Sequence, residues 1–274
     1  QLILRGDYEN ATAILGIFKQ HKTEGVESDA EKRAVINEAF TSFAGEISPL
    51  LVNDLKSGVE TRQLSAMKIV ILLEDTMSGV LTQLIKEADD YRTRRIASSM
   101  LKNIGRHAIK KFFDSIDLSI STETLKRLID VFDEFLPFDY SGKLIELLDY
   151  PEISVKKAVL RQLAKTAMSA EPKILSQIKA AVTGLLKDKD IAQNAVHLAA
   201  EMKITEALPG MISMLGSAPV PVQEEICVAM SVFRNPQAVP ALVKILKVKR
   251  SFFGGSSAAS DTVRVRAAWA LRYF

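Results

Sequence analysis

Apolar residues recur along most of this chain at intervals of three and four, the period of one helix face, and short polar turns interrupt them. The stretch from Ser169 to Lys203 shows the unit. Glu171-Pro172 predicts a helix start, because proline fits the first turn, where its missing N–H costs nothing. Ile174, Leu175, Ile178, Ala181, Val182 and Leu185 then form one apolar stripe. Lys187-Asp188-Lys189-Asp190 breaks it, and Ile191, Ala195, Val196, Ala199 and Ala200 form a second. The unit is a helix pair, first helix A and second helix B.

The same grammar predicts A and B helices over 47–56 and 59–74, 80–88 and 91–104, and 108–116 and 122–135. It continues over 140–148 and 153–168, 208–215 and 220–233, and 238–247 and 263–274. A more divergent pair, 8–19 and 29–43, precedes them and reads as a cap. No sustained alternation bounded by turn residues signals a strand. The expected organisation is a terminal pair over 1–46 and an array over 47–274.

The B helices share an anchor pattern: an aliphatic residue, small or apolar residues four and five positions later, and another apolar residue at the ninth position. Its clearest copy runs from Val263 to Leu271, with Ala267 and Ala268 between. Other copies begin at Thr61, Arg92, Thr124, Val155, Ile191 and Val222, and a weaker one at Ala30. Most steps are 31 or 32 residues, as from 61 to 92. A period of this size marks stacked repeats, in which each pair buries on its neighbours the stripes it cannot bury alone. Small residues such as Ala66, Ala97, Ala158, Ala195, Ala229 and Ala267 let helices approach closely. The last step, 222 to 263, is longer because a loop at about 248–260 enters the final pair. That loop carries Phe252 and Phe253, which either tuck back onto the array or await a partner. Insertions in solenoids often lie on a binding face. The chain opens on Gln1 and stops within a helical pattern at Tyr273-Phe274, which reads as part of a longer chain.

Composition adds little to this picture. The chain is 47% hydrophobic and 25% charged, ordinary for a globular protein, and its net charge is +3. The charge is uneven, however. Residues 91–111 hold seven Lys or Arg and no acid, 112–154 hold ten acids and three bases, and 244–274 hold seven bases and one acid. Such blocks predict faces of different sign rather than a uniformly basic surface. A single cysteine, Cys227, excludes an internal disulfide and reads as a small buried hydrophobe. No apolar run reaches the roughly 20 residues that span a bilayer. Cytoplasmic localisation, with no membrane partner, is the expectation.

The B helices resemble HEAT repeats, more narrowly the short bacterial type found also in phycobilisome lyases. Asp261, Val263, Arg264, Ala267, Ala268, Ala270 and Leu271 match that family's pattern, with Arg272 where it has glycine. Val155-Lys156 with Val159, Leu160 and Leu163 matches more loosely. Arg92 stands where an aliphatic residue belongs. The resemblance covers about 45–274. It implies an all-α fold, an α–α superhelix of HEAT-like antiparallel helix pairs, with B helices on the concave side. Such proteins are mostly interaction scaffolds, and a minority are lyases or DNA-repair enzymes.

The residues offer little chemistry. His21, His107 and His197 are far apart, and none sits at metal-ligand spacing. Gly254-Gly255 lacks the lysine and spacing of a phosphate-binding loop. Asp89-Asp90 and Asp188 to Asp190 read as turns and helix starts. The expectation is a non-enzymatic scaffold with no catalytic residue, cofactor or metal. It binds another protein, or another domain of the same chain, through its concave B-helix surface. The contact residues expected there are Arg94, Arg95, Lys157, Arg161, Gln193, Asn194 and His197, with Phe252 and Phe253 in the loop. Arg94, Arg95, Lys126, Lys157 and Arg161 also form a basic ladder suited to phosphates. Nucleic acid is nevertheless disfavoured by the modest net charge and by the lack of aromatics between these bases. It is also disfavoured by the lack of a concave Trp with a paired carboxylate in mid-array. A chromophore lyase rests on the shared repeat type alone.

Overall fold

The computed structural model describes residues 2–23, 30–73, 75–136, 138–247 and 259–274. They form fifteen α-helices, several short 3₁₀ turns and no strand, so the protein is all-α. No helix among the described residues is long and apolar enough to cross a membrane. The chain divides into two compact units, residues 1–138 and 139–274.

The first unit holds α1 (Tyr8–Thr23), α2 (Ala30–Lys56), α3 (Glu60–Leu73), α4 (Asp75–Glu87), α5 (Tyr91–Ile104), α6 (Arg106–Asp114) and α7 (Thr122–Ile129). The helices pack in two layers: α2, α4 and α6 pack in succession, and so do α1, α3 and α5. Between the layers lie Leu51, Leu55, Ile69, Met77, Leu81, Ile85 and Met100, all essentially inaccessible. Ala66 and Ala97 are fully buried at the helix contacts, as close approach requires. Asp90 caps α5, its carboxylate accepting the Thr93 N–H at 2.7 Å. That bond holds the Asp90 carboxyl below the usual carboxylate range.

Two boundaries in this unit differ from the expected ones. The expected break between 43 and 47 does not exist, because α2 runs unbroken from Ala30 to Lys56. Ala44, Ile47, Ser48 and Leu51 continue one buried stripe through it. Pro49 lies inside the helix on the exposed side, so the carbonyl of Gly45, which loses its donor, faces solvent. In the other case, a helix expected over 122–135 ends at Ile129 and gives way to a 3₁₀ turn, Phe132–Phe135. The tighter turn eclipses side chains three residues apart. Phe132 and Phe135 therefore both reach the Phe113 ring, at 4.9 and 5.3 Å, and Phe135 stacks on Phe112 at 5.0 Å.

The second unit holds α8 (Ser141–Glu146), α9 (Ile153–Ala167), α10 (Pro172–Gly184), α11 (Ala192–Glu201), α12 (Leu208–Met214), α13 (Val220–Phe233), α14 (Val239–Leu246) and α15 (Asp261–Leu271). Pro172 opens α10 in its first turn. The helices α9, α11, α13 and α15 pack on one another in succession, each with its preceding helix alongside. The anchor pattern is the inner face of that row. Val155, Ile191, Val222 and Val263 are buried, and so are Val159, Ala195, Ile226 and Ala267 four positions on. In the first unit the leading anchor is absent: Thr61 and Arg92 are exposed, and Thr124 is half-buried.

Lys156 of α9 reaches the turn before α11, its Nζ 2.7 Å from the Asp188 carboxylate, with both side chains mostly buried. That bond, with the Asp190 N–H, holds the Asp188 carboxyl below its usual range. Because the folded pKa is depressed, the pair's stabilisation is present above the unfolded carboxylate pKa. It is lost as pH falls through the lower folded value. A Lys156→Met variant is expected to unfold about 1.5 kcal/mol more easily at neutral pH. The gap should close in acid, and urea denaturation at several pH values would measure it. A gap independent of pH would remove the pair from the account.

Candidate functional site

Helices α9, α11, α13 and α15 turn their anchors inward, so their third, fourth and seventh positions are what that row can offer a partner. On α9 these include Lys157 and Arg161, both exposed. On α11 they are Gln193, Asn194 and His197, all exposed. On α13 the fourth position is Glu225, whose carboxylate lies 2.8 Å from His197 Nδ1. On α15 the positions are Val265, Arg266 and Trp269, all exposed. The row therefore changes character from basic on α9, through amide and imidazole on α11, to acidic on α13 and partly aromatic on α15.

The first unit contributes less than its sequence suggested. Arg94 is not on a surface: it is 5% exposed. Its Nη1 donates to the carbonyls of Ala88 and Asp89 at 2.9 and 2.8 Å, which pins the α4–α5 turn. The Tyr91 ring lies 5.9 Å from its Cζ. Its place on the inner side of α5 makes Arg94 a brace of the fold rather than a contact residue. Arg95, the next residue, is exposed and pairs with Glu134 at 2.7 Å. Phe252 and Phe253 lie outside the described residues.

A second feature lies at the C-terminal ends of α11, α13 and α15. Lys203 follows α11 and Arg234 follows α13, 31 residues apart, and both are left-handed, with φ of 52° and 50°. Among the described residues no other non-glycine has positive φ. Glycine usually fills this position, and a side chain there costs roughly 1–2 kcal/mol. Each closes its helix by a backbone bond, Lys203 N–H to the Ala200 carbonyl and Arg234 N–H to that of Met230. With Ser231, Val232, Trp269 and Tyr273 they line an open cleft of about 560 Å³. Trp269 and Tyr273 meet edge to face at 5.0 Å, and the Arg234 guanidinium lies 5.4 Å from the Tyr273 ring centre. Of these six residues only Trp269 occupies one of the outward repeat positions, the seventh of its B helix. The available signal was a basic residue recurring at the repeat period, just past two B helices.

Cys227 lies buried on α13, and desolvation pushes its thiol up to about 12, so it stays protonated and unreactive near neutrality. Among the described residues no group of three His, Cys, Asp or Glu is placed to hold a metal ion.

No protein-family model matches the chain, and no curated protein does. Among solved structures, the chain is similar to an engineered protein determined by the Northeast Structural Genomics Consortium. The identity is 18% and the TM-score 0.36, with 93% of this chain and 95% of that chain covered.

Proposed function

We propose that this chain is a non-enzymatic interaction scaffold, a HEAT-like superhelix that binds another protein or another domain of its own chain. The observation that carries this reading is the outward row of α9, α11, α13 and α15. These four helices bury the same anchor positions; at the third, fourth and seventh positions α11 and α15 are exposed throughout, α9 exposes Lys157 and Arg161 but buries Ala158, and α13 is half-buried. A surface built by repetition can be varied residue by residue without disturbing the core, which suits it to partner recognition. Lys157, Arg161, Gln193, Asn194 and His197 are the proposed contacts. Burial of Arg94 and the pairing of Arg95 with Glu134 break the basic ladder that a phosphate backbone would follow.

A combined Lys157→Ala, Arg161→Ala, Asn194→Ala and His197→Ala variant tests the reading. These side chains are exposed, so its helicity and melting temperature should stay near wild type, since surface changes usually lie within about 0.5 kcal/mol. Quantitative capture from an extract should then lose partners that the wild-type chain retains. If every captured protein persists at the same level, the row is not the contact surface. Capture dominated by nucleic acid, with steep loss as salt rises, would favour the phosphate reading instead.

A further inference from the structure

We propose that the cleft at the ends of α11, α13 and α15 binds an acidic peptide segment carrying an aromatic or large aliphatic side chain. This rests on the scaffold reading and names the chemistry of one partner segment. Four observations carry it. Two cations, Lys203 and Arg234, flank the cleft, and no acid lines it. Among the described residues, neither cation is ion-paired. Each occupies a left-handed position where glycine would fit with less strain. Third, Trp269 and Tyr273 give the cleft an aromatic wall, with Arg234 within cation–π reach of Tyr273. Finally, Ser231, almost fully buried, closes the floor of the lining, its hydroxyl donating to the Val228 carbonyl at 2.6 Å.

A simpler account holds that Lys and Arg merely complement the negative ends of two helix dipoles. That explains the charge but not why both residues take left-handed backbone, nor why Arg234 lies over the Tyr273 ring. Strained positions concentrate where a side chain is needed for a task. A carboxylate placed between Lys203 and Arg234 would neutralise both cations. Its neighbouring side chain would lie against Trp269 and Val232. The cleft is open and lined by six residues, so it can seat a side chain of an extended segment that stays partly in solvent. Single-stranded nucleic acid also combines charge with stacking, but it needs bases in series along a groove.

The protein has one tryptophan, so Trp269 emission reports the cleft directly. The probe is an acetylated and amidated Asp-Glu-Phe-Asp-Glu peptide, with its Asn-Gln-Phe-Asn-Gln counterpart and an oligothymidylate as comparisons. The acidic peptide is expected to change the emission saturably, and to bind at least 10-fold more tightly than its neutral counterpart. Lys203→Gly and Arg234→Gly relieve the backbone strain, so each should melt at or above the wild-type temperature. Each should still lose at least 10-fold in peptide affinity. The four-residue alanine variant of the α9–α11 row should bind the peptide like wild type, which separates failure of the row from failure of the cleft. Equal binding of acidic and neutral peptides, no saturable change, unchanged affinity in both glycine variants, or preference for oligothymidylate would overturn the proposal.

Discussion

Phe112→Ala should cost the first unit about 3–5 kcal/mol, the range for truncating a buried aromatic ring. Phe112 is fully buried and meets Phe113, Phe132 and Phe135 at 5.2, 6.5 and 5.0 Å between ring centres. Removing it takes away the stacking partner of Phe135 and leaves a cavity that a rigid 3₁₀ turn cannot close. The expected sign in hydrogen exchange is loss of protection over α6, α7 and Phe132–Phe135. Protection in α11 and α13, which belong to the other unit, should fall much less. A urea midpoint within the error of wild type would mean that the cluster is not a core. Phe112→Leu keeps most of the volume and should fall between the two.

Leu163→Asp should be more severe. Leu163 is fully buried, at the ninth anchor position of α9. Losing its burial costs about 1.5–3 kcal/mol, and an unpaired carboxylate in its place adds a desolvation penalty of similar or larger size. The sum exceeds about 4 kcal/mol, which is exceptional for one substitution and comparable with the whole stability of a small domain. The variant is expected to lose cooperative thermal unfolding of α8 to α11, with lower helicity by circular dichroism. Leu163→Met preserves volume and apolarity and should cost less than about 1.5 kcal/mol. If the aspartate variant melts like the methionine one, α9 does not contribute to the core as its burial indicates.

These two substitutions also mark what can be read from sequence. The Leu163 position belongs to a strict spacing, and helical periodicity with small residues at fixed steps is enough to place it in a core. The Phe112 cluster depends on a local change of helix type at Val131, where φ is −104° and ψ is 3°. No turn residue marks that change, because packing of two aromatic rings drives it. Arg94 departs from its expected place for a related reason. A charge on a helix reads as outward, yet two carbonyls in the α4–α5 turn supply the partners that let it be buried. His197 was placed on the outer row by position alone, while its neighbour Glu225 lies 28 residues on and needed the packing of α11 on α13 to be found. The Lys203–Arg234 cleft leaves only a faint trace in the sequence, a basic residue recurring at the repeat period, because no glycine marks the left-handed backbone.

The continuous course of α2 has a consequence for how this chain can be rearranged. Repeat proteins gain and lose units by cutting and joining in turns, where no ordered backbone is severed. Between Ala30 and Lys56 there is no such joint: a rod about 40 Å long, at 1.5 Å per residue, passes from the front pair into the first unit's core. A chain begun at residue 47 would keep less than half of that rod and uncover the buried faces of Leu51 and Leu55. The first turn past Ala30 where a shuffling event leaves both neighbours whole lies at residues 57–59, beside the left-handed Gly58. Residues 30–56 are thus inherited as one piece with no joint at residue 47, while the second unit, jointed at each turn, can change one pair at a time.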